Sequence, residues 1–107
     1  MIKYINEQEL KEVLNTNDDL IMVFGKGINC SVCHAIENRI NSTYPNKYPN
    51  LNIYYVTVEE NPLFRGEHLI FTTPTIMLFH NNKEIHRESR IIDFRRMERT
   101  LDLFFEQ

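Results

Sequence analysis

The chain has 107 residues, enough for one domain, with 42% hydrophobic and 25% charged residues, the balance of an ordinary soluble globular protein. Its formal net charge of −3 leaves it without the basic footprint that nucleic-acid binding needs. No basic segment followed by a long apolar run opens the chain, and the longest apolar run, residues 20–24, is far too short to cross a bilayer. A cytoplasmic protein that engages neither nucleic acid nor membrane is expected, folded as a single domain over residues 1–107.

Residues 2–5 form a short strand candidate. Asn6, with Glu9 three residues on, makes a capping box, and Leu10, Val13 and Leu14 then recur at helical spacing, predicting an amphipathic helix over residues 7–16. The unbroken apolar run of residues 20–24 reads as a central strand covered on both faces, ended by Gly25-Lys26-Gly27. Val32, Ile36 and Ile40 predict a helix over residues 31–43, stopped by Tyr44-Pro45 and Tyr48-Pro49, because the residue before a proline is pushed out of the helical region. Residues 51–58 are rich in β-branched and aromatic side chains and predict a second central strand. Asn61-Pro62 opens a short helix with proline at its preferred first position. Residues 75–80 and 83–90 read as two antiparallel strands joined by an Asn81-Asn82 turn, and Asp93 can cap a last helix with Phe94, Met97, Leu101 and Phe104 on one face. The order β-α-β-α-β-α-β-β-α implies an α/β fold, a mixed sheet with helices on both faces.

Cys30-Ser31-Val32-Cys33 follows a buried strand and opens a helix. Free N–H groups and the positive dipole end at a helix start stabilise a thiolate, and only the thiolate attacks a disulfide. Cys30 is therefore the expected nucleophile. Cys33, one turn further in, is expected to stay protonated until it resolves the mixed disulfide. Ser31, Val32 and His34 are placed to modulate the pair, with His34 expected as an exposed helix residue.

With this motif the chain resembles the thioredoxin family over nearly its whole length. Thr73-Pro74-Thr75, just before the hairpin, stands at the family's cis-proline position. The resemblance implies a thioredoxin fold and a cis Thr73–Pro74 bond against the cysteine pair. It also implies that the Thr73 backbone holds an extended substrate segment by strand-like pairing. The implied activity is reduction or exchange of protein disulfides, with no organic cofactor and no metal. The implied partners are disulfide-containing proteins, and a thioredoxin reductase or a low-molecular-weight thiol as electron donor, met by a monomer. The chain also departs from the family. It has no Trp, Ser31-Val32 replaces the usual Gly-Pro, and the buried acid and its lysine partner align with Phe24 and Tyr55, leaving Cys33 without the usual internal base.

Other readings of the same residues are a buried structural thiol pair, a c-type haem attachment through Cys30, Cys33 and His34, and a zinc site using two of His34, His68, His80 and His86. Haem attachment needs export machinery that the sequence does not address, and the histidines lack paired ligand spacing. The rival function is a thioredoxin-fold binding or adaptor protein whose cysteine pair only senses redox state. Ile28, Val32 and Phe71 are candidates for an apolar rim, Phe71 equally for the core. Tyr44 and Tyr48 read as surface packing, and Arg95, Arg96 and Arg99 as a solvated helix face.

Overall fold

A computed structural model describes residues 1–106, and Gln107, the last residue of the expected domain, lies outside the described residues. Five strands form one sheet: β1 (Ile2–Tyr4), β2 (Ile21–Lys26), β3 (Asn52–Thr57), β4 (Thr75–His80) and β5 (Lys83–Ser89). Their order is β1-β3-β2-β4-β5. β3 is parallel to β1 and β2, whereas β4 is antiparallel to both β2 and β5. Among the described residues four helices flank the sheet, α1 (Glu7–Thr16), α2 (Ser31–Lys47), α3 (Pro62–Glu67) and α4 (Phe94–Phe105), with one 3-10 turn at Val58–Glu60.

Strand alternation sorts the core into two layers. Met22, Phe24, Ile53, Tyr55, Ile76 and Leu78 point toward α2 and α4, meeting Cys33, Ile36, Ile40, Met97 and Leu101. Ile21, Val23, Tyr54, Val56, Met77 and Phe79 point the other way, toward Leu10 and Leu14 of α1 and Phe64 of α3. Local signals act as expected. The Asn6–Glu9 capping box is formed on both sides, and Asp93 caps α4 by accepting the Arg96 N–H at 3.0 Å. Asn81 and Asn82 both have positive φ, 52° and 60°, which the β4–β5 turn needs for its strands to keep their twist.

Four expectations need correcting. β2 does not end at Phe24: it runs on to Lys26, because β3 pairs with it through Thr57. α2 does not stop at Tyr44-Pro45 but continues to Lys47 with Pro45 inside it. Proline removes one helical hydrogen bond, yet the last turn is held by docking on α4. The Tyr44 and Tyr48 hydroxyls donate to Glu98 at 3.0 Å and Asp102 at 2.7 Å, and both rings are buried rather than on the surface. Arg96, finally, is more than solvated: it reaches Glu88, a buried carboxylate on β5.

Candidate active site

The site forms where β2 stops. Residues 27–29 carry the chain from Lys26 at the strand end to Cys30, which is the N-cap of the 17-residue helix α2. An N-cap side chain ordinarily satisfies a free helical N–H with an oxygen. Here sulfur does so: the Cys33 N–H donates to Cys30 Sγ at 3.1 Å. Cys30 is half-buried, whereas Cys33 is wholly buried among Phe24, Ile36 and Ile76 of the core. The two are joined as a disulfide with their Cα atoms 5.2 Å apart, inside the range that a disulfide spans without moving the backbone.

Gly27 brings a second loop to the pair. A Cβ at this position would stand 2.9 Å from Thr73 Oγ1 and 3.3 Å from Cys30 Cβ, so only glycine lets the two segments come this close. Glu59, in the turn after β3, fastens the same loop by accepting the Ile28 N–H at 3.0 Å. The Thr73–Pro74 bond is cis, Pro74 is buried, and its carbonyl accepts the Arg90 N–H at 2.7 Å. Thr73 is half-buried and lies at the edge of a small cleft of about 170 Å³, which Val58, Glu59, Ile70 and Phe71 also line.

Several of the expected residues converge here. Ser31 and Val32 are exposed on the first turn of α2, and Ile28 and Val32 are 59% and 55% accessible. Phe71 is 82% exposed, which decides between rim and core in favour of the rim. His34 is exposed on α2. Ile91, 80% exposed just beyond the Arg90–Pro74 hydrogen bond, extends the apolar surface. The remaining histidines lie apart, and among the described residues no cluster of three or more His, Cys, Asp or Glu is placed to hold a metal ion.

Phe24 and Tyr55 are register partners on β2 and β3, their rings edge to face at 5.6 Å, so the positions aligned with the family's buried acid and lysine hold an aromatic pair. Sequence reasoning missed what lies next to them. Lys26 follows Met22 and Phe24 on the α2 face of the sheet, and its Nζ donates to Glu37 of α2 and, at 2.8 Å, to the Tyr4 hydroxyl. Tyr4 donates to the Glu37 carboxylate in turn. Burial alone would raise the Glu37 pKa. The hydrogen bonds from Lys26 and Tyr4 outweigh it and hold the carboxyl below its usual range. For Lys26 burial acts downward, and its bonds to Glu37 and Tyr4 turn the net shift upward.

A half-buried sulfur at a helix N-cap, bonded to a buried partner one turn in, is an arrangement suited to thiol–disulfide exchange. The chain belongs to the thioredoxin family, whose sequence pattern it matches over residues 1–102. Thioredoxin-like protein YdfQ of Bacillus subtilis (strain 168) is 28% identical over 72 residues, which is 67% of this chain and 63% of that protein. The match thus spans under two thirds of that relative's length. Among solved structures, thioredoxin from Malassezia sympodialis superposes with a TM-score of 0.82 at 18% identity, covering 95% of this chain and 91% of that one. The Schistosoma mansoni thioredoxin pre-protein gives a TM-score of 0.84 at 16% identity, covering 96% and 97%. A mutant thioredoxin from Halobacterium salinarum NRC-1 gives 0.80 at 16% identity, covering 95% and 88%. At these identities the superpositions establish the fold.

Proposed function

We propose that this protein is a protein-disulfide reductase. The Cys30 thiolate attacks a substrate disulfide, and Cys33 then displaces the substrate thiol by closing the Cys30–Cys33 bond. Electrons return from a thioredoxin reductase or a low-molecular-weight thiol. The observation that carries this reading is the asymmetry of the pair: Cys30 is half-buried at the helix N-cap and Cys33 is inaccessible. An attacking sulfur must be reachable and stabilised as thiolate, while a resolving sulfur need only reach its neighbour. Thr73, brought beside Cys30 through Gly27, is the docking residue for an extended substrate segment. The exposed side chains of Ile28, Val32, Phe71 and Ile91 supply an apolar rim for such a segment.

Reduction of insulin by dithiothreitol, followed by precipitation of the freed chains, tests the reading. Catalysis that disappears in Cys30→Ser supports the reductase. A folded wild-type protein with no catalysis supports the rival, an adaptor whose cysteine pair only senses redox state.

A further inference from the structure

Resolution creates a proton problem that the geometry makes explicit. Cys33 is 0% exposed, so a thiol there has no direct contact with water to which it could lose its proton. Among the described residues two carboxylates are buried, Glu37 and Glu88. Glu88 is committed on β5 to Arg96, His86 and the Asp93 backbone. Glu37 lies on the cysteine's own helix, four residues on, and residues at that spacing share a face with their Cβ atoms about 5–6 Å apart. Its carboxylate is bonded to Lys26 of β2 and Tyr4 of β1. Tyr4 is 54% exposed, so the far side of the cluster opens to solvent.

We propose that Glu37, held in place by Lys26 and Tyr4, accepts the Cys33 proton during resolution. The proposal rests on the reading of Cys33 as the resolving thiol. In the mixed disulfide, the Cys33 S–H proton passes to a Glu37 oxygen and the sulfur keeps the electron pair. The Cys33 thiolate attacks Cys30 Sγ. The Cys33–Cys30 bond forms, the bond from Cys30 to the substrate sulfur breaks, and the substrate leaves as thiolate. The proton on Glu37 then leaves through the exposed side of the cluster and can protonate that thiolate. The dithiol is oxidised by two electrons and the substrate disulfide is reduced by two.

The groups facing Glu37 are Lys26 from β2, Tyr4 from β1, Tyr55 from β3 and, on α2, His34. Lys26 keeps Glu37 ionised at neutral pH, ready to accept. Tyr55 is held neutral by burial and by the Glu37 charge, and its hydroxyl donates to Asn41 at 2.7 Å, so it does not compete as a base.

Mixing the reduced protein with one equivalent of 5,5′-dithiobis(2-nitrobenzoate) in a stopped-flow instrument separates the two steps. The first coloured thiolate reports attack by Cys30, and the second reports resolution by Cys33. Glu37→Gln should leave the first phase within about twofold and slow the second by on the order of 10²-fold, the lower end of what a positioned base contributes. The second phase should then depend on pH like an unassisted thiol, and Glu37→Asp should restore most of the rate. Should Glu37→Gln fail to fold, Lys26→Gln is read instead. It frees the carboxyl to take up protons at higher pH, so resolution should weaken in mild acid where the wild type still resolves. A second phase with wild-type rate and pH profile in Glu37→Gln overturns the proposal. So does equal slowing of both phases, or an unmoved profile in Lys26→Gln. Because the probe is a small aromatic disulfide, both phases are read whether or not a protein disulfide is turned over, so this result stands apart from the insulin assay.

Discussion

The Cys33 N–H points at Cys30 Sγ across 3.1 Å, so the helix that begins at this cysteine is capped by the cysteine's own sulfur. The same bond becomes stronger when the sulfur carries a charge, because hydrogen bonds to ionised acceptors are about twice as strong as neutral ones. The dipole of α2 adds to it.

Cys30 should therefore ionise below the ordinary cysteine range in the reduced protein, and Cys33, buried among apolar side chains, should not. Iodoacetamide alkylation across pH, with the modified residue located by peptide mapping, measures this. Cys30 is expected to react first and at lower pH than a free thiol. Preferential labelling of Cys33 would reverse the two roles.

Gly27 is the contact point between the cysteine loop and the Thr73–Pro74 loop. Gly27→Ala forces its new methyl toward Thr73 Oγ1, 2.9 Å away, and Cys30 Cβ, 3.3 Å away. The expected cost is about 1–3 kcal/mol of stability, as for other overpacked sites. Disulfide-reductase kcat/KM should fall by roughly tenfold or more, since displacing a docking group by a fraction of an ångström already costs rate. Thr73→Ala removes the closest obstacle and should recover part of the stability in the double variant. Additive losses measured by chemical denaturation would show that the two loops do not meet at this point.

Glu88 makes acid stability testable. It is 1% exposed and accepts hydrogen bonds from Arg96 at 2.8 Å, His86 at 2.7 Å and the Asp93 N–H at 3.2 Å. The Arg96 bonds, against the opposing effect of burial, hold its pKa down at about 2. An unfolded glutamate titrates near about 4.3. With the folded value depressed, the stabilisation is fully present above the unfolded value and is lost as pH falls toward about 2. Glu88→Gln should therefore lower stability by about 2 kcal/mol at neutral pH. Its deficit should narrow between about pH 5 and 2. Thermal melts of the two proteins that stay parallel through this range would contradict the assignment.

What the sequence disclosed was mostly local. The Asn6–Glu9 box, the Asp93 cap and the Asn81-Asn82 turn each depend on residues within four positions of one another, and each formed as expected. The cysteine motif was legible for the same reason, since its chemistry follows from standing at a helix start. Features set by another element were not legible. Pro45 signals a helix stop, but the Tyr44 and Tyr48 contacts to α4 carry the helix past it. Gly25 and Lys26 look like the end of a strand until β3 pairs with them. The Lys26–Glu37 pair joins β2 to α2 across eleven residues of sequence and becomes visible only once both lie on one face of the sheet. A trace was present in advance: Lys26 keeps the alternation of Met22 and Phe24, and Glu37 keeps the helical spacing from Cys33.

The central claim, that Cys30 attacks and Cys33 resolves, is tested most directly by trapping. Cys33→Ser and Cys30→Ser variants, each incubated with a disulfide-linked peptide, are analysed intact by mass spectrometry without reductant. In Cys33→Ser the attack proceeds and resolution cannot, so a covalent adduct of one protein and one peptide thiol should accumulate on Cys30. In Cys30→Ser the buried Cys33 should form little or none. Comparable adducts on both variants, or an adduct confined to Cys33, would contradict the account.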